Sequence, residues 1–232
     1  MKRRVEPEWL DELPAEDPRA VASRRDLTRV NRIMGNAGIL GRMILEASSG
    51  RSPRRVVELG AGDGRFLLDV ARRLAPRWPG VSVGLLDRRE AVHPETRAAF
   101  AALGWTVEVI TADVFDWLEQ SEAQTDILVA NLFLHHFQPG PLTKLLALAA
   151  RRTKLLAACE PRRSAVSLAA SRLLGCIGCN DVTRHDAVVS VRAGFAGTEL
   201  SGWWPVGSEW RLREEGARLF SHAFVATRVG GI

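Results

Sequence analysis

The chain has 232 residues, which is long enough to bury a complete hydrophobic core in one α/β domain. Hydrophobic residues make up 46% and charged residues 25% of the sequence, as in ordinary globular proteins, and no apolar run approaches the roughly 20 residues needed to span a bilayer. The net charge of +5 does not by itself indicate a nucleic-acid partner, because 29 of the 32 basic residues are arginines, as GC-rich codon usage produces, and they are scattered in pairs.

The start of the chain and its cysteines favour a reducing compartment. The basic residues at the start are not followed by an apolar signal segment, so we expect a cytoplasmic location. Three cysteines provide no even disulfide framework. Cys176 and Cys179 form one C-x-x-C pair with His185 nearby in sequence, which is a weak zinc signal, and we expect no metal site.

The first 52 residues are expected to form an arm and a helical lid. Residues 1–20 are rich in Pro, Glu and Asp and predict an irregular or loosely attached arm. Residues 23–48 carry apolar side chains at helical spacing and predict two helices, with Ser23 as the N-cap and with Gly35 and Gly38 at the joint. These helices are expected to cover the substrate side as a mobile lid; a static helical layer on the sheet is the alternative.

Residues 53–232 are expected to form the main domain, because strand-like and helix-like segments alternate from residue 53 onward. Strands are predicted at 55–60, 81–87, 106–111, 126–131 and 154–160, and helices at 64–75, 94–103, 141–151 and 164–174. Two further strands, at 198–204 and 218–229, would complete the sheet near one edge. The predicted fold is therefore α/β, with a doubly wound, mostly parallel seven-stranded sheet and an N-terminal helical extension.

A glycine-rich turn joins the first predicted strand to its helix. The segment VVELGAGDG spans residues 56–64 and contains three alternating glycines, which allow positive φ angles and the close approach of a ligand. Carboxylates flank the turn at Glu58 and Asp63. A pyrophosphate cradle avoids adjacent carboxylates, so this turn favours a ligand that carries an ammonium and a sulfonium over a dinucleotide.

Polar residues also stand at the carboxyl ends of the following strands, where open parallel sheets bind ligands. Asp87 ends the second strand, 23 residues after Gly64, near the interval at which an acidic residue meets ribose hydroxyls; a surface Asp that opens a loop is the alternative. Asp113 follows the third strand. It is expected to contact a ligand, to cap the following helix, or to do both. Asn131 ends the fourth strand and precedes the run Leu-Phe-Leu-His-His-Phe.

This order of motifs resembles the class I S-adenosylmethionine-dependent methyltransferases over about residues 53–229, and more narrowly the small bacterial enzymes that modify polyketide- or quinone-type metabolites. The resemblance implies S-adenosylmethionine as the cofactor, with the ribose on Asp87 and the adenine on Asp113. The residues expected at the cofactor are Glu58, Gly60, Ala61, Gly62, Gly64, Asp87, Arg88, Asp113, Val114, Asn131 and Leu132.

The histidine pair His135 and His136 belongs to the same resemblance, since ubiquinone and menaquinone methyltransferases have a similar Leu-His-His-Phe run beyond the fourth strand. The resemblance implies that the pair faces the cavity where the methyl group is delivered. Histidine can accept a proton near neutral pH, so either residue is a candidate general base, with His135 preferred. A structural or helix-capping role is the alternative.

The resemblance implies an enzyme that methylates a small aromatic or polyketide- or quinone-like metabolite, and we expect transfer to oxygen. Phe133, Phe137 and the pair Trp203–Trp204 are expected to wall an apolar acceptor pocket. No nucleic-acid partner and no membrane span are expected, and the sequence leaves the oligomeric state open.

Three other functions stay open at this point. An RNA or protein methyltransferase is disfavoured, because the segment that starts at Asn131 lacks the Asn/Asp-Pro-Pro-aromatic tetrad of amino-group methylation. A nicotinamide dehydrogenase is disfavoured by the glycine spacing and by Asp63. A cofactor-binding partner protein without catalytic activity would carry the same binding motifs.

Overall fold

One seven-stranded sheet forms the centre of the computed structural model, which describes residues 1–14, 16–120 and 124–231. The strands are β1 (Arg55–Leu59), β2 (Ser82–Asp87), β3 (Thr106–Thr111), β4 (Thr125–Asn131), β5 (Thr153–Pro161), β6 (Trp210–Ala217) and β7 (Ser221–Arg228). They are ordered β3-β2-β1-β4-β5-β7-β6. The first five strands are parallel and the last two are antiparallel, which confirms the predicted fold class.

Helices cover both faces of this sheet. The helices are α1 (Trp9–Glu12), α2 (Pro18–Met34), α3 (Asn36–Ala47), α4 (Arg65–Leu74), α5 (Pro94–Ala102), α6 (Val114–Gln120), α7 (Pro139–Arg152), α8 (Ala165–Arg172), α9 (Asp181–Ala193) and α10 (Glu199–Trp203). Within the described residues, no helix combines the length and the apolar character that a membrane crossing requires. Ile232, where the predicted main domain ends, lies outside the described residues.

The N-terminal helices begin earlier than predicted. Asp17 is the N-cap of α2, since its side chain accepts a hydrogen bond from the backbone N–H of Arg19, and Pro18 fills the first helical position. The prediction that Ser23 is the N-cap was wrong, because this stronger start signal lies six residues upstream. Gly35, with φ of 70°, separates α2 from α3, whereas Gly38 lies inside α3.

The C-terminal part differs from the predicted pattern in one strand. The segment predicted as a strand at 198–204 contains the helix α10, whose first amides, on Leu200 and Ser201, donate to the carboxylate of Glu214. The strand beside β7 is β6 instead. It forms the exposed edge of the sheet, and its Arg- and Glu-rich sequence obscures the usual alternation of apolar and polar residues. The helix α9 was not predicted.

The two faces of the sheet bury separate hydrophobic clusters. On one face, α3, α4 and α5 pack over strand side chains such as Val56 and Leu85. On the other face, α6, α7 and α10 pack over their neighbours, such as Val57 and Leu86. Because α3 buries four apolar side chains beside α4, its packing favours a static layer of the core. The boundary at residue 52 and the motion of a lid stay predictions.

Helix α2 is attached to α9 through buried polar groups. Asp26 is 3% exposed, and its carboxylate accepts hydrogen bonds from the backbone N–H of Asn180 at 2.8 Å and from the hydroxyl of Thr183 at 3.2 Å. Arg29 pairs with the other carboxylate oxygen at 2.8 Å. A buried carboxylate is stable there because each oxygen has donors.

We predict that Asp26→Ala lowers the free energy of unfolding by about 1–3 kcal/mol, since it leaves buried donors without an acceptor. The measurement is urea unfolding followed by circular dichroism. Arg25→Ala, on the exposed face of the same helix, is the control and should stay within about 0.5 kcal/mol of wild type. Equal stability of the two variants would contradict the polar attachment of α2.

Candidate active site

The glycine-rich turn after β1 adopts a conformation that requires glycine. Gly60, Gly62 and Gly64 have φ angles of 70°, 53° and 73°, in the left-handed region. A Cβ atom on Gly60 would lie 2.2 Å from the ring of Phe133, whereas a Cβ on Gly62 would meet no atom within 4 Å. The turn therefore accepts an aromatic ring at one glycine and leaves open space at the next.

Asp87, at the end of β2, connects this turn to its own loop. Its Oδ2 atom accepts a hydrogen bond from the backbone N–H of Gly62 at 2.9 Å, and its Oδ1 atom accepts from the N–H of Arg89 at 3.0 Å. The backbone N–H of Ala61 donates to the carbonyl of Leu86 at 2.9 Å. The loops after β1 and β2 are thus held together, and each carboxylate oxygen of Asp87 retains a further lone pair.

Glu58 is a buried carboxyl group at the base of the glycine-rich turn. It is 2% exposed, and its Oε2 atom has no hydrogen-bond partner within the part of the chain that the structure describes. Burial, followed by the negative charge of Asp63, raises the pKa of Glu58 well above its ordinary value. A buried acceptor without a donor is costly and marks a place where a ligand can supply one.

The third strand end shows the capping role predicted for Asp113. Its Oδ1 atom accepts a hydrogen bond from the backbone N–H of Phe115 at 2.8 Å, at the start of α6. Val114 is buried beside it. Arg88 is exposed after β2. Contacts of these residues with a cofactor stay predictions.

The end of β4 is held by a polar chain that was not predicted. Asn131 accepts a hydrogen bond through its Oδ1 atom from the side-chain amide of Asn36 at 2.9 Å, and Asn36 in turn accepts from the hydroxyl of Ser221 at 2.6 Å. Leu132 follows with φ of 51°, an unfavourable conformation for a residue with a branched side chain. Asn36 is the first residue of α3 and directly follows Gly35. Its position at a helix start was the available sequence signal for this polar contact.

Glu160, at the end of β5, organises the turn after β4 and was also missed. It is fully buried, and its carboxylate accepts hydrogen bonds from the backbone N–H groups of Phe133, Leu134 and His135 at 3.1, 2.9 and 3.3 Å. The ring Nδ1 of His135 lies 2.7 Å from the same carboxylate. An acidic residue at the end of an otherwise apolar strand was the signal that could have identified it.

His135 lies between two carboxylates rather than against open space. Its side chain is 3% exposed, and its Nε2 atom lies 3.4 Å from Oε1 of Glu8. Burial lowers the pKa of His135, but the hydrogen bonds to Glu160 and Glu8 outweigh that effect and raise the pKa to about 9. Both ring nitrogens face acceptors, so the preference for His135 as the general base has no geometric support.

His136 is the more accessible of the two histidines. Its side chain is 31% exposed, and its Nδ1 atom lies 3.8 Å from a carboxylate oxygen of Asp11. Burial and the positive charge of His135 lower the pKa of His136. A base role for His136 stays a prediction.

The N-terminal arm, predicted to be irregular or loosely attached, is docked across this turn. The guanidinium group of Arg3 donates to the carbonyls of His135 and Phe137 at 3.1 and 2.9 Å. Glu8 also accepts a hydrogen bond from the hydroxyl of Ser190. The backbone N–H groups at the start of α1 donate to the carboxylate of Asp186 at 2.9 and 3.0 Å.

The aromatic residues divide into a group at the site and a group in the core. Phe137 packs edge-on against Phe133 and Phe115, with ring centroids 5.1 and 5.6 Å apart, and all three are half-buried. Trp204 is buried against Trp210 and Phe224. The expectation that the tryptophan pair walls the acceptor pocket at a strand end was wrong, because this segment is helical and its second tryptophan packs into the core.

Comparisons with known proteins agree with this geometry. A family model described as a methyltransferase domain matches residues 56–155. Trans-aconitate 2-methyltransferase of Mycobacterium tuberculosis (strain ATCC 25177 / H37Ra) is 40% identical over 82 residues, which cover 35% of this chain and 27% of that protein. The corresponding enzyme of Mycolicibacterium gilvum (strain PYR-GCK) is 35% identical over 98 residues, which cover 42% of this chain and 34% of that protein.

Two solved structures are similar over most of this chain. The plantazolicin methyltransferase BpumL, in complex with SAH, has a TM-score of 0.66 at 11% identity and is matched over 92% of this chain and 91% of that chain. An O-methyltransferase family protein from Burkholderia thailandensis has a TM-score of 0.62 at 18% identity, over 92% of this chain and 61% of that chain. A methyltransferase-domain model thus matches residues 56–155, and the chain shares the fold of these two methyltransferase structures.

Proposed function

We propose that this protein transfers a methyl group from S-adenosylmethionine to a small molecule, and that the acceptor is an oxygen atom of an aromatic or polyketide- or quinone-like compound. The observation that carries the proposal is the packing of Phe133 against Gly60. It brings an aromatic cluster next to the glycine-rich turn, so that an apolar acceptor surface and a polar cofactor surface meet.

The residues around the turn fit the cofactor. The methionine end carries an ammonium group, which can donate to the Oε2 atom of Glu58 that has no partner and favour the charged form of this carboxyl group. The open space at Gly62 lets the cofactor approach the backbone. Asp87 retains lone pairs for the two ribose hydroxyls. Ala61 and Gly64 shape the same turn.

The remaining contacts follow the strand ends. We place the adenine beside Asp113 and the backbone of Val114, where Phe115 offers an apolar face, and Arg88 at the outer edge of the ribose. Asn131 has its Oδ1 atom satisfied by Asn36, so its amide N–H groups are available to the methionine end. We place the backbone of Leu132, which has a positive φ angle, beside the methionine end of the cofactor as well.

Catalysis in this proposal depends mainly on positioning. The cofactor supplies an electrophilic methyl group on a sulfonium. The protein aligns the acceptor oxygen with that methyl group and excludes water, and good alignment can lower a barrier by up to ~7–11 kcal/mol. His135 holds its proton between two carboxylates, so the acceptor proton leaves to solvent or to His136.

The charge distribution supports a small acceptor over a nucleic acid. Many surface arginines pair with carboxylates, as in Arg55–Glu108 at 2.6 Å, Arg72–Asp69 at 2.8 Å and Arg213–Glu46 at 2.7 Å. A phosphate-rich polymer needs a continuous basic track with exposed stacking side chains. Paired arginines offer less free positive charge to such a track.

A carboxylate acceptor is the second candidate. It rests on the curated relatives that act on trans-aconitate, whose matched segment covers 27% of their length. The product would then be a methyl ester instead of an aryl ether.

We predict that the chain methylates phenols or quinols in the presence of S-adenosylmethionine. The measurement follows labelled methyl groups into three acceptor sets: phenolic lipids and polyketides, small carboxylic acids that include trans-aconitate, and total RNA. Incorporation into the phenolic set supports the proposal, and incorporation into acids alone selects the second candidate. Methylated RNA without any methylated small molecule would overturn both.

We predict that Asp87→Asn weakens the binding of S-adenosylhomocysteine by about 1–1.5 kcal/mol, the difference between a hydrogen bond to a charged acceptor and one to a neutral acceptor. The Asn side chain keeps one acceptor oxygen for the N–H of Gly62, whereas its NH₂ group cannot accept from the N–H of Arg89, so circular dichroism checks that the variant is folded. Isothermal titration calorimetry measures the affinity. Asp69→Asn, on the exposed face of α4, is the control. Unchanged affinity in Asp87→Asn would remove Asp87 from the site.

We predict that Glu58→Gln makes the free protein more stable at pH 8 while weakening cofactor binding. The raised pKa of Glu58 means that ionisation of this carboxyl opposes folding, so its destabilising effect is absent below the unfolded pKa and grows as the pH rises above it. Urea unfolding at pH 4 and pH 8 measures the difference, which should appear only at pH 8. Exposed Glu95→Gln is the control. A less stable Glu58→Gln variant at pH 8 would contradict the destabilising effect of this buried carboxylate.

A further inference from the structure

The N-terminal arm and the turn after β4 bring three metal-binding side chains together. Potential donor atoms of Glu8, His135 and His136 all lie within 4.8 Å of one another. Glu8 comes from the arm, more than 120 residues away in sequence from the two histidines. The arrangement is separate from the glycine-rich turn. When a metal ion occupies it, His136 is a ligand, so the acceptor proton of the proposed methyl transfer leaves to solvent.

The geometry of His135 suits a metal ligand, because one ring nitrogen faces a buried carboxylate and the other faces Glu8. Its Nδ1 atom lies 2.7 Å from the buried carboxylate of Glu160, which fixes the ring and leaves Nε2 directed toward Glu8. Metal-bound histidines commonly donate their second ring N–H to a carboxylate in this way. One side of the donor set is buried, since the side chains of His135 and Glu160 are 3% and 0% exposed.

The distance between the first two donors is that of a long hydrogen bond, and it also suits two ligands of one metal ion. Nε2 of His135 and Oε1 of Glu8 are 3.4 Å apart, which is long for a hydrogen bond between a nitrogen and an oxygen. Two ligands on a tetrahedral Zn²⁺, with bonds of about 2.0–2.1 Å, lie roughly 3.3 Å apart. The ring of His136 lies beside that of His135, with centroids 4.2 Å apart, and one of its nitrogen atoms lies within 4.8 Å of the other two donor atoms.

We propose that Glu8, His135 and His136 bind a divalent transition-metal ion, with Zn²⁺ as the best match, and that this ion fastens the N-terminal arm to the turn after β4. Two imidazoles and one carboxylate suit Zn²⁺, while Mg²⁺ prefers oxygen ligands only. A fourth position stays open to water, as in sites with three protein ligands. This proposal differs from the expectation of no metal site, which was drawn from the C-x-x-C pair and His185.

The site is tested by calorimetric titration with ZnCl₂ of the untagged 232-residue chain, after EDTA treatment and desalting. We expect one Zn²⁺ per chain, and at least tenfold weaker binding in Glu8→Gln and in His136→Ala. Both substitutions avoid the buried His135, and circular dichroism confirms that the variants are folded. His93→Ala, which removes an exposed histidine before α5, is the matched control and should bind like wild type. No stoichiometric binding by wild type, or equal binding by wild type and both ligand variants, would overturn the site.

Hydrogen exchange of the same samples tests the fastening of the arm. Saturating Zn²⁺ should slow exchange in residues 3–13 of wild type and leave exchange in these residues unchanged in His136→Ala. MgCl₂ at the same concentration should have no effect on wild type. Stoichiometric Zn²⁺ binding without added protection of the arm would overturn the fastening role. Neither measurement uses methyl transfer, so their outcome is independent of the proposed function.

Discussion

The buried carboxylate of Glu160 fixes the geometry on which the candidate site depends. It stands at the end of β5 and accepts three backbone N–H groups from the turn after β4, together with the ring of His135. Hydrogen bonds to a charged group stabilise by about 1.5–3 kcal/mol each, so the turn is held firmly although it has little regular structure. The rest of the site is arranged around this turn.

Fixing the turn places Phe133 over Gly60 and so joins the ends of β1, β4 and β5 into one surface. The polar side of that surface, with Glu58 and Asp87, suits a cofactor with cationic and hydroxyl groups. The apolar side, where Phe133 meets Phe137, suits an aromatic acceptor. Because such a site is built from the turns at strand ends, proteins of one fold can bind different methyl acceptors when these turns differ.

The strand ends could be predicted from the sequence because local patterns specify them. The strand before Gly60 is specified by a run of neighbouring apolar residues, and the position of Asp87 is specified by its interval from that turn. Both strands lie where the sequence predicts them. The partners of the histidines could not be predicted. Glu8 and Glu160 reach His135 from positions 127 and 25 residues away, and no local pattern encodes such a contact. Similarly, β6 was missed because its stability comes from pairing with β7 at an exposed edge.

The strand ends therefore form a candidate site for a sulfonium cofactor beside an apolar acceptor surface. We propose that the glycine-rich turn binds this cofactor instead of a dinucleotide. Isothermal titration of the wild-type chain with S-adenosylmethionine, S-adenosylhomocysteine and NAD⁺ distinguishes the two kinds of ligand. We expect one binding site for each of the first two ligands and no measurable binding of NAD⁺. Binding of NAD⁺ with no binding of either S-adenosyl compound would contradict the proposed cofactor.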